Sequence, residues 1–131
     1  MIVSQLITRN PVTANEKVSI KEAAKIMKRE GIGSIVIVDD SNKVAGIVTE
    51  RDIIYAVADD IPLDKPVSEI MSQNPITIEE NSDISEAIAL ITSREIRHLV
   101  VVDHEGKVKG VISIRDVAKA VGAIALDLAF W

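Results

Sequence analysis

The chain has 131 residues, 47% of them apolar, and a formal net charge of -5, a length that supports one ordinary domain burying roughly two thirds of its unfolded surface. Acidic charge without a long Lys/Arg run excludes a general nucleic-acid binder, and a single Phe, Tyr and Trp leave an aliphatic core with no aromatic platforms for single strands. The absence of cysteine rules out disulfides, Cys-zinc sites and thiol catalysis, and fits a reducing compartment.

Met1-Ile-Val-Ser-Gln-Leu-Ile-Thr-Arg9 is too short and too interrupted for a secretory signal, and no apolar run reaches spanning length, so the protein reads as soluble and cytoplasmic. After Asn10-Pro11, where proline keeps its predecessor out of helix, Val12-Thr13-Ala14 predicts a short extended piece. Ser19-Ile-Lys-Glu22 predicts a capping box. Ile20, Ala23, Ala24 and Met27 then give the following helix one apolar face, and Gly31 ends it. The all-apolar run Ile35-Val-Ile-Val38 predicts a strand buried on both faces. A turn over Asp39-Asp-Ser-Asn-Lys43 reverses the chain into a second strand ending at Thr49, and a helix follows from about Glu50 to Ala58. Asp59 to Pro66, polar and with two prolines, is a linker, and Val67-Ser-Glu-Ile-Met71 predicts a short helical turn.

The same order then returns. Gly46-Ile-Val-Thr-Glu-Arg-Asp52 has a second version, Gly110-Val-Ile-Ser-Ile-Arg-Asp116, 64 positions on, and residues 10–57 align with 74–121 without a gap. Asn74-Pro75, Thr77, Glu86-Ala87, Ile96, Asp103, Lys107-Val108 and Arg115-Asp116 repeat their counterparts in the first copy. The helix face is now Ile84, Ala87, Ile88 and Ile91, its capping box Asp83 to Glu86, and its buried strand Leu99-Val-Val-Val102. The chain is therefore an α+β protein of two tandem β-α-β-β-α repeats, too small to stand singly and expected to share a core. The boundaries are 1–58, a linker at 59–66, 67–121, and an apolar helical extension at 122–131. That extension predicts a subunit interface.

In each copy a β-branched strand ends at a hydroxyl, Thr49 or Ser113, followed three residues later by an acid, Asp52 or Asp116. Such a pair caps a helix, and beside free backbone N–H groups it also suits a polyhydroxylated, phosphorylated ligand. A carboxylate accepts from two vicinal hydroxyls, and Arg97 offers a fork of donors to phosphate. The acidic turn Asp39-Asp40 lacks further ligands at metal spacing and reads as a solvated hairpin, as does His104 beside Asp103 and Glu105. Two histidines, no cysteine and no nucleophile-base pair argue against an enzyme.

On the repeat, the paired Asn-Pro segments, Asp39 and Asp103 at the strand ends, and the doubled Gly-x-x-Thr/Ser-x-x-Asp signature, the chain resembles the CBS-domain family, as a stand-alone pair of repeats forming one Bateman module. The resemblance implies a pseudo-two-fold module with two clefts that bind AMP, ADP or ATP without altering it, and no catalytic cofactor or metal. One cleft would combine Ser113, Arg115 and Asp116 with Val12, Ile32, Gly33 and Ser34. The other would combine Thr49, Arg51 and Asp52 with Ile76, Ile96, Arg97 and His98. The aspartates would hold ribose, the hydroxyls and basic residues phosphate, and the cleft with Arg97 would hold phosphate more tightly. S-adenosylmethionine is the related alternative, and a ligand-free homodimerisation scaffold the alternative of another class. A homodimer and an unidentified regulated protein are the implied partners, with no membrane, and the acidic charge disfavours nucleic acid.

Overall fold

The computed structural model describes residues 1–130, with side chains as far as residue 122. The chain divides into two compact units, one built from Val12–Pro75 and the other from Met1–Pro11 together with Ile76–Trp131.

In the Val12–Pro75 unit, β1 (Thr13–Asn15) leads to α1 (Ile20–Glu30), β2 (Ser34–Val38), β3 (Val44–Thr49) and α2 (Glu50–Ala58), then a 3-10 turn at Val67–Glu69 and β4 (Ser72–Gln73). The sheet runs β1-β2-β3-β4, with β1 parallel to β2 and the remaining pairs antiparallel. The other unit holds a 3-10 turn at Val3–Leu6, β5 (Thr77–Glu79), α3 (Ile84–Arg94), β6 (His98–Val102), β7 (Val108–Ser113) and α4 (Ile114–Phe130). Its sheet is β5-β6-β7 with the same parallel and antiparallel pairings. The β-α-β-β-α order is present twice, and the opening strands begin one residue after the expected Val12 and Ile76.

The β-branched runs are buried as their composition requires: Ile35, Val36, Ile37, Leu99, Val100 and Val101 are fully enclosed. Each unit gathers a hydrophobic core of its own. One gathers Ala23, Met27, Ile35, Ile37, Val48 and Val67. The other gathers Val3, Leu6, Ile78, Ala87, Ile91, Leu99, Val101, Ile112 and Val117. Val3 and Leu6, which precede the first repeat, thus complete the core of the second, whereas Val67 packs with the first. Two small cores each need a lid of apolar side chains, and the short turn ahead of the other repeat supplies it. Ile88, expected on the buried face of α3, is instead exposed.

The linker has a structural task. The Ile20 and Lys21 N–H groups at the start of α1 donate to the carbonyls of Lys65 and Leu63, each at 2.9 Å. In the second unit the Ile84 N–H donates to the Met1 carbonyl. In place of the expected capping boxes, the Glu22 N–H donates to Ser19 Oγ at 3.0 Å, and the Ser85 N–H and hydroxyl donate to Asp83 Oδ2 at 2.9 and 2.5 Å. At its C-terminus α1 closes on Gly31 in the left-handed region (φ 65°), but the matching cap of α3 is Glu95 (φ 53°). The hairpins are held by Asp39 and Asp103, whose Oδ1 atoms accept from Ser41 and Lys43, and from Glu105 and Lys107. These bonds, the Lys107 N–H above all and then that of Glu105, hold the Asp103 carboxyl below the usual carboxylate range.

The expected C-terminal extension lies within α4, which breaks at Gly122 (φ 85°); its side chains from residue 123 on, and its role as an interface, lie outside the described residues. No helix among the described residues is long and apolar enough to cross a membrane.

Candidate ligand-binding site

Each unit builds one corner where the second strand of the hairpin turns into a helix. In the first, Thr49 is the cap of α2. Its N–H and hydroxyl both donate to Asp52 Oδ2, at 2.8 and 3.1 Å, and the Asp52 N–H returns to Thr49 Oγ1 at 3.4 Å. In the second, the Ser113 N–H and hydroxyl donate to Asp116 Oδ2 at 2.8 and 3.0 Å, and the Asp116 N–H returns to Ser113 Oγ at 3.2 Å. The capping bonds converge on one carboxylate oxygen in both corners and leave Oδ1 outside the cap. A cap of this kind fixes the carboxylate's direction, so that its second oxygen is presented without further ordering.

Strand pairing brings the first strand of each hairpin to its corner. Ser34 stands opposite Thr49, and the Glu50 N–H donates to the Gly33 carbonyl at 3.0 Å. His98 stands opposite Ser113, and the Ile114 N–H donates to the Arg97 carbonyl at 3.0 Å. Thr49, Asp52, Gly33 and Ser34 therefore form one constellation within a unit, and Ser113, Asp116, Arg97 and His98 the other. Arg51, Arg97 and Arg115 are exposed, His98 and both aspartates half-buried, and Ser34 buried. Ile32, Ile76 and Ile96 pack at the margin of their own unit's core, and Val12 is half-buried beside β1.

Sequence reading passed over Glu50. A Cβ on Gly33 would lie 3.4 Å from the Glu50 carboxyl carbon and from Oε1, so that carboxylate lies against the glycine backbone. The offset of 64 already pairs it with Ile114, an acid with an aliphatic residue, and that mismatch is the signal that exposes it.

Both corners also rest on a glycine that admits close packing. A Cβ on Gly46 would come within 2.7 Å of Met71 Sδ and 2.8 Å of the Ser72 carbonyl, and one on Gly110 within 3.0 Å of Ile7. Among the described residues no group of three or more His, Cys, Asp or Glu is placed to hold a metal ion.

The CBS domain family model matches residues 3–59 and 67–123. The structure is similar to a CBS domain protein from Pyrobaculum aerophilum complexed with AMP, 33% identical over the whole of both chains with a TM-score of 0.87. It is also similar to the CBS domain pair of protein MJ0100 in complex with 5′-methylthioadenosine and S-adenosyl-L-methionine, 31% identical, covering 92% of this chain and 95% of that one with a TM-score of 0.85. An inosine-5′-monophosphate dehydrogenase of Aquifex aeolicus is 40% identical over 84% of this chain, which spans only 22% of that enzyme's length. The chain belongs to the CBS-domain family and carries two tandem copies of the domain.

Proposed function

We propose that the protein is a non-catalytic regulatory module that binds an adenosyl ligand, foremost an adenine nucleotide such as AMP, ADP or ATP, at its strand-to-helix corners. The doubled corner carries this reading: in both copies a half-buried aspartate takes its cap bonds on one oxygen and leaves the other outside the cap. Asp52 and Asp116 take the ribose hydroxyls, and Thr49 and Ser113 approach ribose or phosphate. Arg51, Arg97, His98 and Arg115 serve the phosphates, while Val12, Ile32, Gly33, Ser34, Ile76 and Ile96 flank the base. The ligand acts by population shift, stabilising one conformation that a regulated protein recognises, with the module itself acting as a homodimer.

Relatives of known structure at 31–33% identity are complexed with AMP or with methylthioadenosine and S-adenosyl-L-methionine, which supports an adenosyl ligand. S-adenosylmethionine is the second reading, favoured by the carboxylate of Glu50 at one corner. A match to 22% of a dehydrogenase gives no ground for assigning its chemistry.

Thermal unfolding of the full chain with AMP, ADP, ATP or S-adenosylmethionine tests the proposal. A ligand that binds only the folded state at a hundred times its Kd adds about 2.7 kcal/mol, a readily measured rise in midpoint. No rise with any of the four would replace the proposal with a ligand-free scaffold.

A further inference from the structure

Superposed by the repeat offset, the two corners share their backbone bonds but differ in charge. Where one has Gly33, Ser34 and Glu50, the other has Arg97, His98 and Ile114. The peptide link between strand and helix is the same, Glu50 N–H to Gly33 carbonyl and Ile114 N–H to Arg97 carbonyl, each at 3.0 Å. The difference is thus confined to side chains. Glu50 lies with its carboxyl group against the Gly33 backbone, at the first turn of α2, where a carboxylate offsets the positive end of the helix dipole. At the corresponding helix start the capping Asp116 is the one acid of the first turn, because Ile114 replaces the second, and Arg97 adds a cation at the strand beside it.

We infer that Glu50 is a specificity-determining residue: it makes the Gly33–Ser34 edge select a neutral or cationic adenosyl ligand, and leaves the Arg97–His98 edge to the phosphorylated one. This rests on the adenosyl-ligand reading above and deepens it. A phosphate arriving at the Gly33–Ser34 edge meets a carboxylate and no arginine from that strand. A sulfonium or ammonium group there meets an opposite charge instead. Adding or removing one charge at contact distance in a partly wet site changes affinity by about tenfold. A Cβ at Gly33 would stand at about van der Waals distance from the Glu50 carboxyl, 3.4 Å, so the acid is placed over this strand edge without depending on the glycine.

The test is calorimetric titration of the full chain with AMP, 5′-methylthioadenosine and S-adenosyl-L-methionine, for the natural protein and for Glu50→Gln, Glu50→Ala and Ile114→Glu. Glu50 and Ile114 are both exposed, so these variants keep the fold, which thermal unfolding verifies. Glu50→Gln and Glu50→Ala are expected to weaken S-adenosyl-L-methionine about tenfold, to leave the uncharged methylthioadenosine unchanged, and to raise the AMP stoichiometry or affinity. Ile114→Glu is expected to weaken AMP about tenfold, and all these differences should shrink at high salt. If the natural protein binds adenosyl ligands but the Glu50 variants titrate like it, the selectivity role is overturned and the adenosyl reading stands. If the natural protein binds none of the three ligands, both are overturned.

Discussion

Asp52 does two jobs through two oxygens, and substitution can separate them. Replacing it with alanine removes both bonds that end on Oδ2, from the Thr49 N–H at 2.8 Å and the Thr49 hydroxyl at 3.1 Å. Loss of such a cap costs about 1 kcal/mol, with a range of roughly 0.5–2, which lowers the thermal midpoint by roughly 3–6 °C for a chain of this size. Asparagine retains one carbonyl oxygen able to occupy the Oδ2 position, so Asp52→Asn keeps most of the cap. Its amide nitrogen, however, cannot accept from a ribose hydroxyl. A hydrogen bond to a charged acceptor is worth roughly 1.5–3 kcal/mol, so either variant should weaken an adenosyl ligand at that corner by about ten- to a hundredfold. Urea unfolding and calorimetry on the same preparations make the comparison. Asp52→Asn should fall close to the natural protein in stability and close to Asp52→Ala in binding. If both variants bind as the natural protein does, and only Asp52→Ala is less stable, the carboxylate is a helix cap and nothing more.

Three further outcomes follow from the packing. Gly46→Ala should cost about 1–3 kcal/mol because its Cβ meets the Ser72 carbonyl, which is backbone paired to β3, whereas Gly110→Ala meets only the movable Ile7 side chain and should cost less; equal costs in urea unfolding would contradict this. Glu95→Gly should stabilise the protein by about 0.5–1 kcal/mol, since Glu95 holds the left-handed conformation that Gly31 holds in the first repeat; an unchanged or lower midpoint would count against it. Because the folded Asp103 carboxyl lies below its unfolded value, its stabilising effect is complete above about pH 4 and fades as pH falls through the folded value. The stability gap between the natural protein and Asp103→Asn should therefore close on acidification, and a gap that widens would reverse the sign.

Much of the fold was legible because it is written twice. The gapless offset aligned turns, caps and buried runs, and the structure realises both copies of β-α-β-β-α. The partners of the first N–H groups of α1 and α3 were not legible, because the Lys65, Leu63 and Met1 carbonyls come from segments distant in sequence from those helices. For the same reason the sequence placed Val3 and Leu6 with the repeat they precede, although they complete the other repeat's core. Periodicity reports which face of an element is apolar, not which partner covers it. At the candidate site the hydroxyl and aspartate of each corner were readable from spacing, since an acid three residues after a hydroxyl at a strand end forms a cap whatever surrounds it. Glu50 was not, because an acid in the first turn of a helix is ordinary and only its approach to Gly33 sets it apart.

The measurement that bears most directly on the proposed function is calorimetric titration of the natural chain, and of the Asp52→Asn/Asp116→Asn double variant, with AMP and S-adenosyl-L-methionine. The account predicts saturable binding of at least one ligand to the natural chain, lost in a double variant that remains folded. Binding that survives intact in the double variant, or no binding to the natural chain at all, would contradict it.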